Sequence, residues 1–546
     1  MKWNATIYVI LTLLAGLFLS YFVLYTPIPN TDDESVFNTR IATEHIARIA
    51  QDQHSVYDPA NHEDVRVYLR DQLIAYLGAE NVQEMDYDRS LVTLDDGDDE
   101  LTYDIHNLLG VIEGDSPTGI LLVGHYDSRG HIGRTGELGE SYGAADDGYA
   151  IATMLEIARL YADRDLENSI YILMTDAEET GLYGAQMAAQ EDFVDNIALV
   201  INIEARGVKG PVYMFETSTP NDKVVEFYAN VELPVSYSLA TAVYTVMPNS
   251  TDFTEFLAID KPGLNFAVLN GLQYYHTPFD NYTNINQSSI EHYGMQIVPL
   301  VEEFATNSDY SGVDSFEGES DKVFFTLFAN VFVHYGEGFA KVLHIVLFLT
   351  IIGFTAWLFA KKELKAKSFL IAGVLIDVAL IAAVVLGNVV GRLVAFFSKV
   401  PFNMTYVRTM HGDVPALLTL VGITGGLFWW YRAKADDKKP SILLWGAIIN
   451  LFLALVTGFV LSGASFLFLI VGLTGLIVVV FDRFVTNPIA RRIIYALLMV
   501  LNIIIVVPIL FSLYLALTIG GLLALGAILV FYLSVLIPLA DLQLEL

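Results

Sequence analysis

The chain has 546 residues, 54% of them hydrophobic, with a net charge of −32 and no cysteine. The charge is split: residues 1–340 hold 15 Lys and Arg against 54 Asp and Glu, and residues 341–546 hold 15 against 8. An acidic half of that strength repels phosphate backbones, which excludes nucleic acid as a partner. The missing cysteine excludes disulfides, thiolate metal sites and a cysteine nucleophile.

The first element in chain order is an apolar run from Ala5 to Tyr25, uncharged throughout. Its length, about 21 residues, matches a bilayer core of about 30 Å. A cleaved secretory peptide has a shorter apolar region of about 7–15 residues. Pro27-Ile28-Pro29 also makes a poor cleavage site. Residues 1–30 are therefore expected to be a retained signal anchor.

Residues 31–310 change character. Ser35 to Asp52 and His62 to Leu77 read as amphipathic helices. Short apolar runs follow at Ile105–Ile112, Gly119–Val123, Ser169–Met174, Leu199–Ile203, Val212–Phe215 and Gly263–Val268, with helical stretches at Gly148–Ala162 and Gly184–Gln190 between them. Alternating strands and helices predict an α/β domain: a mostly parallel, mixed sheet flanked by helices. Ligands of such sheets gather beyond the carboxyl ends of the strands.

Residues 311–340 read as a linker. Seven apolar segments then follow, at about 341–360, 368–390, 413–431, 441–461, 465–481, 493–512 and 515–538, so residues 341–546 are expected to be an α-helical multispanning domain in the lipid bilayer. With the anchor entering from the cytoplasm, the loops at 361–367, 432–439 and 482–492, holding four, four and three basic residues, lie inside. The acidic domain is then extracytoplasmic, and both termini are cytoplasmic. The long loop at 391–412 holds three basic residues and is the one discord. Asp377 stands mid-helix in the second of these segments; with Asn388, Asn450 and Asn502 it is read as a helix–helix hydrogen-bonding group.

The strand ends of the acidic domain carry the chemistry. His125-Tyr126-Asp127-Ser128 follows one apolar run, Asp176-Ala177-Glu178-Glu179 a second, Glu204-Ala205-Arg206 a third, and Tyr275-His276-Thr277-Pro278 comes shortly after a fourth. Gly143-Ala144-Ala145-Asp146-Asp147-Gly148 opens a helix between the first two. Each signal alone has an ordinary structural reading: a hydrogen-bonded histidine, a solvated pair of acids, a turn. Their coincidence at strand ends favours a metal site. Two neutral imidazoles (His125, His276) and three carboxylates (Asp146, Glu179, Glu204) supply −3 against the +4 of two divalent ions, and one hydroxide balances the rest. Nitrogen and oxygen donors suit zinc, with cobalt or manganese as substitutes. Glu178 is left free as general base, and Asp127 can accept the second imidazole N–H of His125.

These motifs, in this order, resemble the di-zinc aminopeptidases of metallopeptidase family twenty-eight, over about residues 35–305. The membrane plan is similar to that of its membrane-bound subgroup, the endoplasmic-reticulum metallopeptidases and vacuolar membrane proteases. The resemblance implies that Asp146 bridges two Zn2+ ions, that His125 and Glu204 complete one site and Glu179 and His276 the other, and that Glu178 is the base. It also implies that Tyr275 hydrogen-bonds the developing oxyanion. Two departures fall beside the motifs: Tyr149-Ala150 where Ser-Gly is usual, and Thr251-Asp252-Phe253 where Ser-Asp-His is usual. They bear on pocket shape. The expected activity is removal of N-terminal residues from peptides. The alternatives are a glutaminyl cyclase or carboxypeptidase on the same scaffold, or a catalytically idle scaffold protein.

Overall fold

The computed structural model describes residues 2–87, 93–95, 100–130, 140–244, 249–405, 407, 409–435 and 438–545. They fall into two compact units: residues 25–322, and residues 1–24 together with 323–546.

In the second of these units, α1 spans Lys2–Tyr21. In the first, α2 (Thr39–Ile49) and α3 (Pro59–Leu77) precede the strands. Asn38 caps α2, its side chain accepting from the Ile41 amide, and Pro59 opens α3 where a missing N–H costs nothing. The strands are β1 (Val82–Tyr87), β2 (Thr93–Asp95), β3 (Glu100–Thr102), β4 (Ile105–Ile112), β5 (Ser116–His125), β6 (Asn168–Thr175), β7 (Ile197–Ala205), β8 (Lys209–Thr217) and β9 (Gly263–Asn270). β2 and β3 form their own ladder, and the other seven make one sheet in the order β1-β4-β6-β5-β7-β9-β8.

The four central strands, β6, β5, β7 and β9, are parallel; β4 on one flank and β8 on the other run antiparallel to them, and edge strand β1 pairs antiparallel with β4. This agrees with the predicted mixed α/β sheet. Every residue of β6 and β7 is buried, as expected of parallel strands covered on both faces. The cover comes from α4 (Gly148–Tyr161), α5 (Tyr183–Ala188), α6 (Asp222–Tyr228), α7 (Ser238–Tyr244), α8 (Asp252–Leu257) and α9 (Gln287–Thr306). The parallel register sets the carboxyl ends of β5, β6, β7 and β9 along one edge.

Residues 311–340, read as a linker, contain an antiparallel pair, β10 (Lys322–Phe328) and β11 (Val331–Gly336). Among the described residues seven α-helices follow: α10 (Glu337–Ala360), α11 (Ala366–Ser398), α12 (Asp413–Lys434), α13 (Lys439–Val460), α14 (Ser465–Phe484), α15 (Pro488–Leu517) and α16 (Leu522–Glu545). All of them, and α1, lie in segments long and apolar enough to cross a membrane. Large apolar side chains such as Leu349, Leu370, Phe397 and Leu417 face outward, which suits a lipid environment. Asn450 donates to the Phe531 carbonyl on α16, and Asn502 to Thr474 Oγ1 on α14, both between helices. Asn388 instead accepts from Arg392 one turn along its own helix. Asp377 departs from the expected role: its side chain is on the exposed face of α11.

Candidate metal centre

His125 is the last residue of β5, Glu178 and Glu179 follow β6, Glu204 is the penultimate residue of β7, and Tyr275 and His276 lie in the loop after β9. Asp146 lies just before α4. The structure brings five of these side chains, those of His125, Asp146, Glu179, Glu204 and His276, into two groups that share Asp146. Its Oδ1 is 3.4 Å from His125 Nε2, which is 3.9 Å from Glu204 Oε2. Its Oδ2 is 3.2 Å from His276 Nε2, which is 3.1 Å from Glu179 Oε1. Within each group the donor atoms lie within 4.8 Å of one another.

The donors fit a cation. Asp146 Oδ2, Glu179 Oε1 and His276 Nε2 are buried and make no hydrogen bond, a costly arrangement for polar atoms unless something else satisfies them. Burial pushes the Glu178 carboxyl well above the usual carboxylate range, with the Glu204 and Glu179 carboxylates adding to the shift. Burial likewise raises Glu204 to about 8. So many buried acids in one place call for positive charge. His276 has φ +57°, in the left-handed region that costs a non-glycine residue about 1 kcal/mol or more.

Asp127 lies against the second imidazole nitrogen of His125, as expected, with its main-chain carbonyl nearer than its carboxylate. The His125 Nδ1 is 2.9 Å from the Asp127 main-chain carbonyl and 3.5 Å from its carboxylate. The carboxylate also accepts the amides of Glu178 at 2.9 Å and Glu179 at 3.2 Å, tying the loop after β6 to the loop after β5. Tyr275 stacks on the His276 ring, with centroids 3.6 Å apart.

Several supports escaped the sequence. Arg129 donates to Glu179 Oε2 at 2.9 Å and also to the Glu179 carbonyl. Asp280 accepts the amides of Ala145 and Asp146. Asn202 donates to Glu204 Oε1 at 3.3 Å and to Asn265 Oδ1 at 3.1 Å, its cross-strand partner in β7–β9. Arg129 lies directly beyond the histidine motif and Asp280 four residues past His276, the only signals available. The two departures from the usual motif are core residues. Tyr149 is buried, donates to the Val208 carbonyl and accepts the Asn286 amide, while Phe253 packs among Leu121, Val200 and Phe256.

Residues 107–301 match peptidase family M28. The chain carries a peptidase M28 domain. The chain is 26% identical over 359 residues to a vacuolar membrane protease of Clavispora lusitaniae, covering 61% of this chain and 33% of that one. It is 29% identical over 273 residues to a putative endoplasmic reticulum metallopeptidase 1 of Schizosaccharomyces pombe, covering 47% and 32%. Among solved structures it is similar to a Tannerella forsythia glutaminyl cyclase, with a TM-score of 0.40 and 20% identity over 49% of this chain and 98% of that one. The chain spans about a third of the length of these two curated relatives.

Proposed function

We propose that the chain is a membrane-anchored, zinc-dependent exopeptidase, an aminopeptidase acting on peptides. The carrying observation is the pair of donor groups sharing Asp146. His125, Asp146 and Glu204 would hold one Zn2+ and Asp146, Glu179 and His276 a second. Bound there, such ions supply a water acidic enough to ionise near neutral pH and polarise a scissile carbonyl. The chain's own residues do the rest. Glu178 accepts the proton of the attacking water and returns it to the leaving amine. Asp127 holds the amides of Glu178 and Glu179, so base and ligand share one anchor. The Tyr275 hydroxyl, pushed up by burial and therefore protonated, donates to the oxygen on which charge develops.

In the same reading the M28 domain is extracytoplasmic, and the basic loops at 361–367, 432–439 and 482–492 face the cytoplasm. With no native cysteine, single cysteines placed at Ser315 and Lys361 report this directly. An impermeant thiol reagent on intact cells labels the first and spares the second; the reverse pattern inverts the topology.

The activity is tested on the full chain purified in detergent, with zinc measured alongside hydrolysis of aminoacyl-anilides, free and N-acetylated. Two zinc ions per chain, hydrolysis of free N-termini alone, and its loss with zinc retained in Glu178→Gln support the reading. Zinc without anilide hydrolysis, but with cyclisation of N-terminal glutamine or release of C-terminal residues, replaces it by the cyclase or carboxypeptidase. No zinc in zinc-replete buffer leaves a scaffold.

A further inference from the structure

Beside the loop that carries Glu178 lies a buried charged pair that the proposed reaction does not use. His62, in the first turns of α3, places Nε2 3.0 Å from Asp176 Oδ1. Neither atom makes a hydrogen bond elsewhere, so this ion pair is the partner of both. His62 Nδ1 is 2.9 Å from the His54 carbonyl, and since a carbonyl only accepts, Nδ1 carries a proton. The other oxygen of Asp176 accepts the Tyr103 hydroxyl and the His106 amide, both at 2.9 Å. Asp176 is wholly buried and His62 nearly so. Burial by itself lowers the pKa of His62, but the Asp176 carboxylate, the His54 carbonyl and Asp127 together outweigh it and the net shift is upward. Asp176 in turn stays below its ordinary range despite burial, held there by His62.

A core histidine tying a helix to a sheet is the ordinary explanation, and most such pairs are no more than that. Two contacts set this one apart. The His62 ring stacks on Tyr126, with centroids 5.0 Å apart and planes 22° from parallel, and Tyr126 lies between His125 and Asp127. Asp176 opens the segment whose residues 178 and 179 hang from Asp127, and its carbonyl accepts the Gly184 amide that closes that loop. His62 thus touches both loops whose mutual placement Asp127 sets.

We infer that His62 is a positioning residue which, through Tyr126 and Asp176, holds the loops 125–128 and 176–179 in register and so positions Glu178, whose amide Asp127 holds. The inference rests on the peptidase reading above. Its test uses the full chain in detergent, comparing wild type, His62→Gln, Asp176→Asn, the double variant and Glu178→Gln for kcat, KM and bound zinc. The expected result for His62→Gln is a kcat lower by about 10- to 100-fold, as small displacements of reacting groups produce, with KM within about two-fold and zinc retained. The double variant then loses no more than the worse single one, because the residues act through each other.

A zinc-loaded His62→Gln with wild-type kcat overturns the inference, as does a kcat loss proportional to zinc loss. If His62→Gln does not fold, Tyr103→Phe removes one hydroxyl from the same carboxylate and keeps the ring stack. A several-fold kcat loss there supports the inference, and wild-type kcat overturns it. A fully active Glu178→Gln fails the peptidase reading and takes this inference with it. An inactive Glu178→Gln beside a fully active His62→Gln fails this inference alone.

Discussion

Asp280 accepts the main-chain amide of Asp146 at 3.1 Å and, through its other oxygen, the amide of Ala145 at 2.8 Å. The residue shared by both donor groups is therefore fixed by a carboxylate four residues beyond His276. Asp280→Ala leaves two buried N–H groups without an acceptor, at a cost of about 1–3 kcal/mol. Zinc affinity falls by about 10- to 100-fold, the usual effect of losing a group that orients a ligand. Competition with a chromophoric chelator reads this. An unchanged zinc affinity in a folded variant makes Asp280 structural only.

Gly184 is the second residue of α5, the turn of helix after the Glu178 loop, and its amide donates to the Asp176 carbonyl. A Cβ there overlaps both Asn107 Oδ1 and that carbonyl oxygen. Gly184→Ala forces the loop outward at about 1–3 kcal/mol, the usual cost of overpacking. Thermal unfolding and kcat should fall together. A variant with wild-type kcat and a lowered midpoint would separate the loop's packing from Glu178.

The sheet was legible where an apolar run ends in a chemistry-bearing residue, as at Val123-Gly124-His125 or Ile203-Glu204. β1 was not, because as an edge strand with Gln83, Glu84 and Asp86 on it, only Met85 is buried, so its pattern reads as polar loop. α9 buries twelve residues, among them His292, Glu291 and Gln296, and its polar interior hides the helical stripe. The donor residues were legible as residue types at strand ends. Their supports were not: Arg129, Asp280, Asn202 and His62 matter through distant segments brought close. Asp127 shows the same limit, since its carboxylate serves the loop after β6 and its carbonyl serves His125.

His292 on α9 makes the domain acid-sensitive. Its Nδ1 accepts the Val212 amide at 2.9 Å and its Nε2 donates to the Leu233 carbonyl at 2.9 Å, the pattern of a neutral ring. Protonation of Nδ1 would set two donors face to face. Burial lowers its pKa to about 4, against about 6.5 when unfolded. The unfolded chain therefore takes up the proton first, so the stabilisation is complete above pH 6.5 and is lost as pH falls towards 4. The full loss is about 3 kcal/mol. Thermal midpoints of the full chain between pH 7 and 4 should drop less steeply in His292→Gln, whose amide can accept from Val212 and donate to Leu233 at every pH. Parallel curves for the two chains would assign the acid sensitivity elsewhere.

In the membrane unit, Gly446 on α13 sets how closely α16 approaches. A Cβ there lies 2.7 Å from Ser534 Oγ and 2.8 Å from the Ser534 carbonyl oxygen, so only a residue without one leaves the two helices in place. One turn on, Asn450 donates across the same pair to the Phe531 carbonyl at 3.1 Å, a bond that needs the close approach. Small residues with polar neighbours are a common way for helices to associate in lipid, where burial of apolar surface gives no drive. Gly446→Leu is expected to part α13 from α16 and cost about 1–3 kcal/mol, while Asn450→Leu costs about 0.6 to 1.7 kcal/mol. Because they share one contact, the two losses should not add. Gly422→Leu is the control, since no atom lies within 4 Å of a Cβ at that position. Thermal unfolding followed by tryptophan fluorescence, with Trp445 next to the substituted residue, reads all three. An equal midpoint for Gly446→Leu and Gly422→Leu would show that the α13–α16 contact tolerates separation.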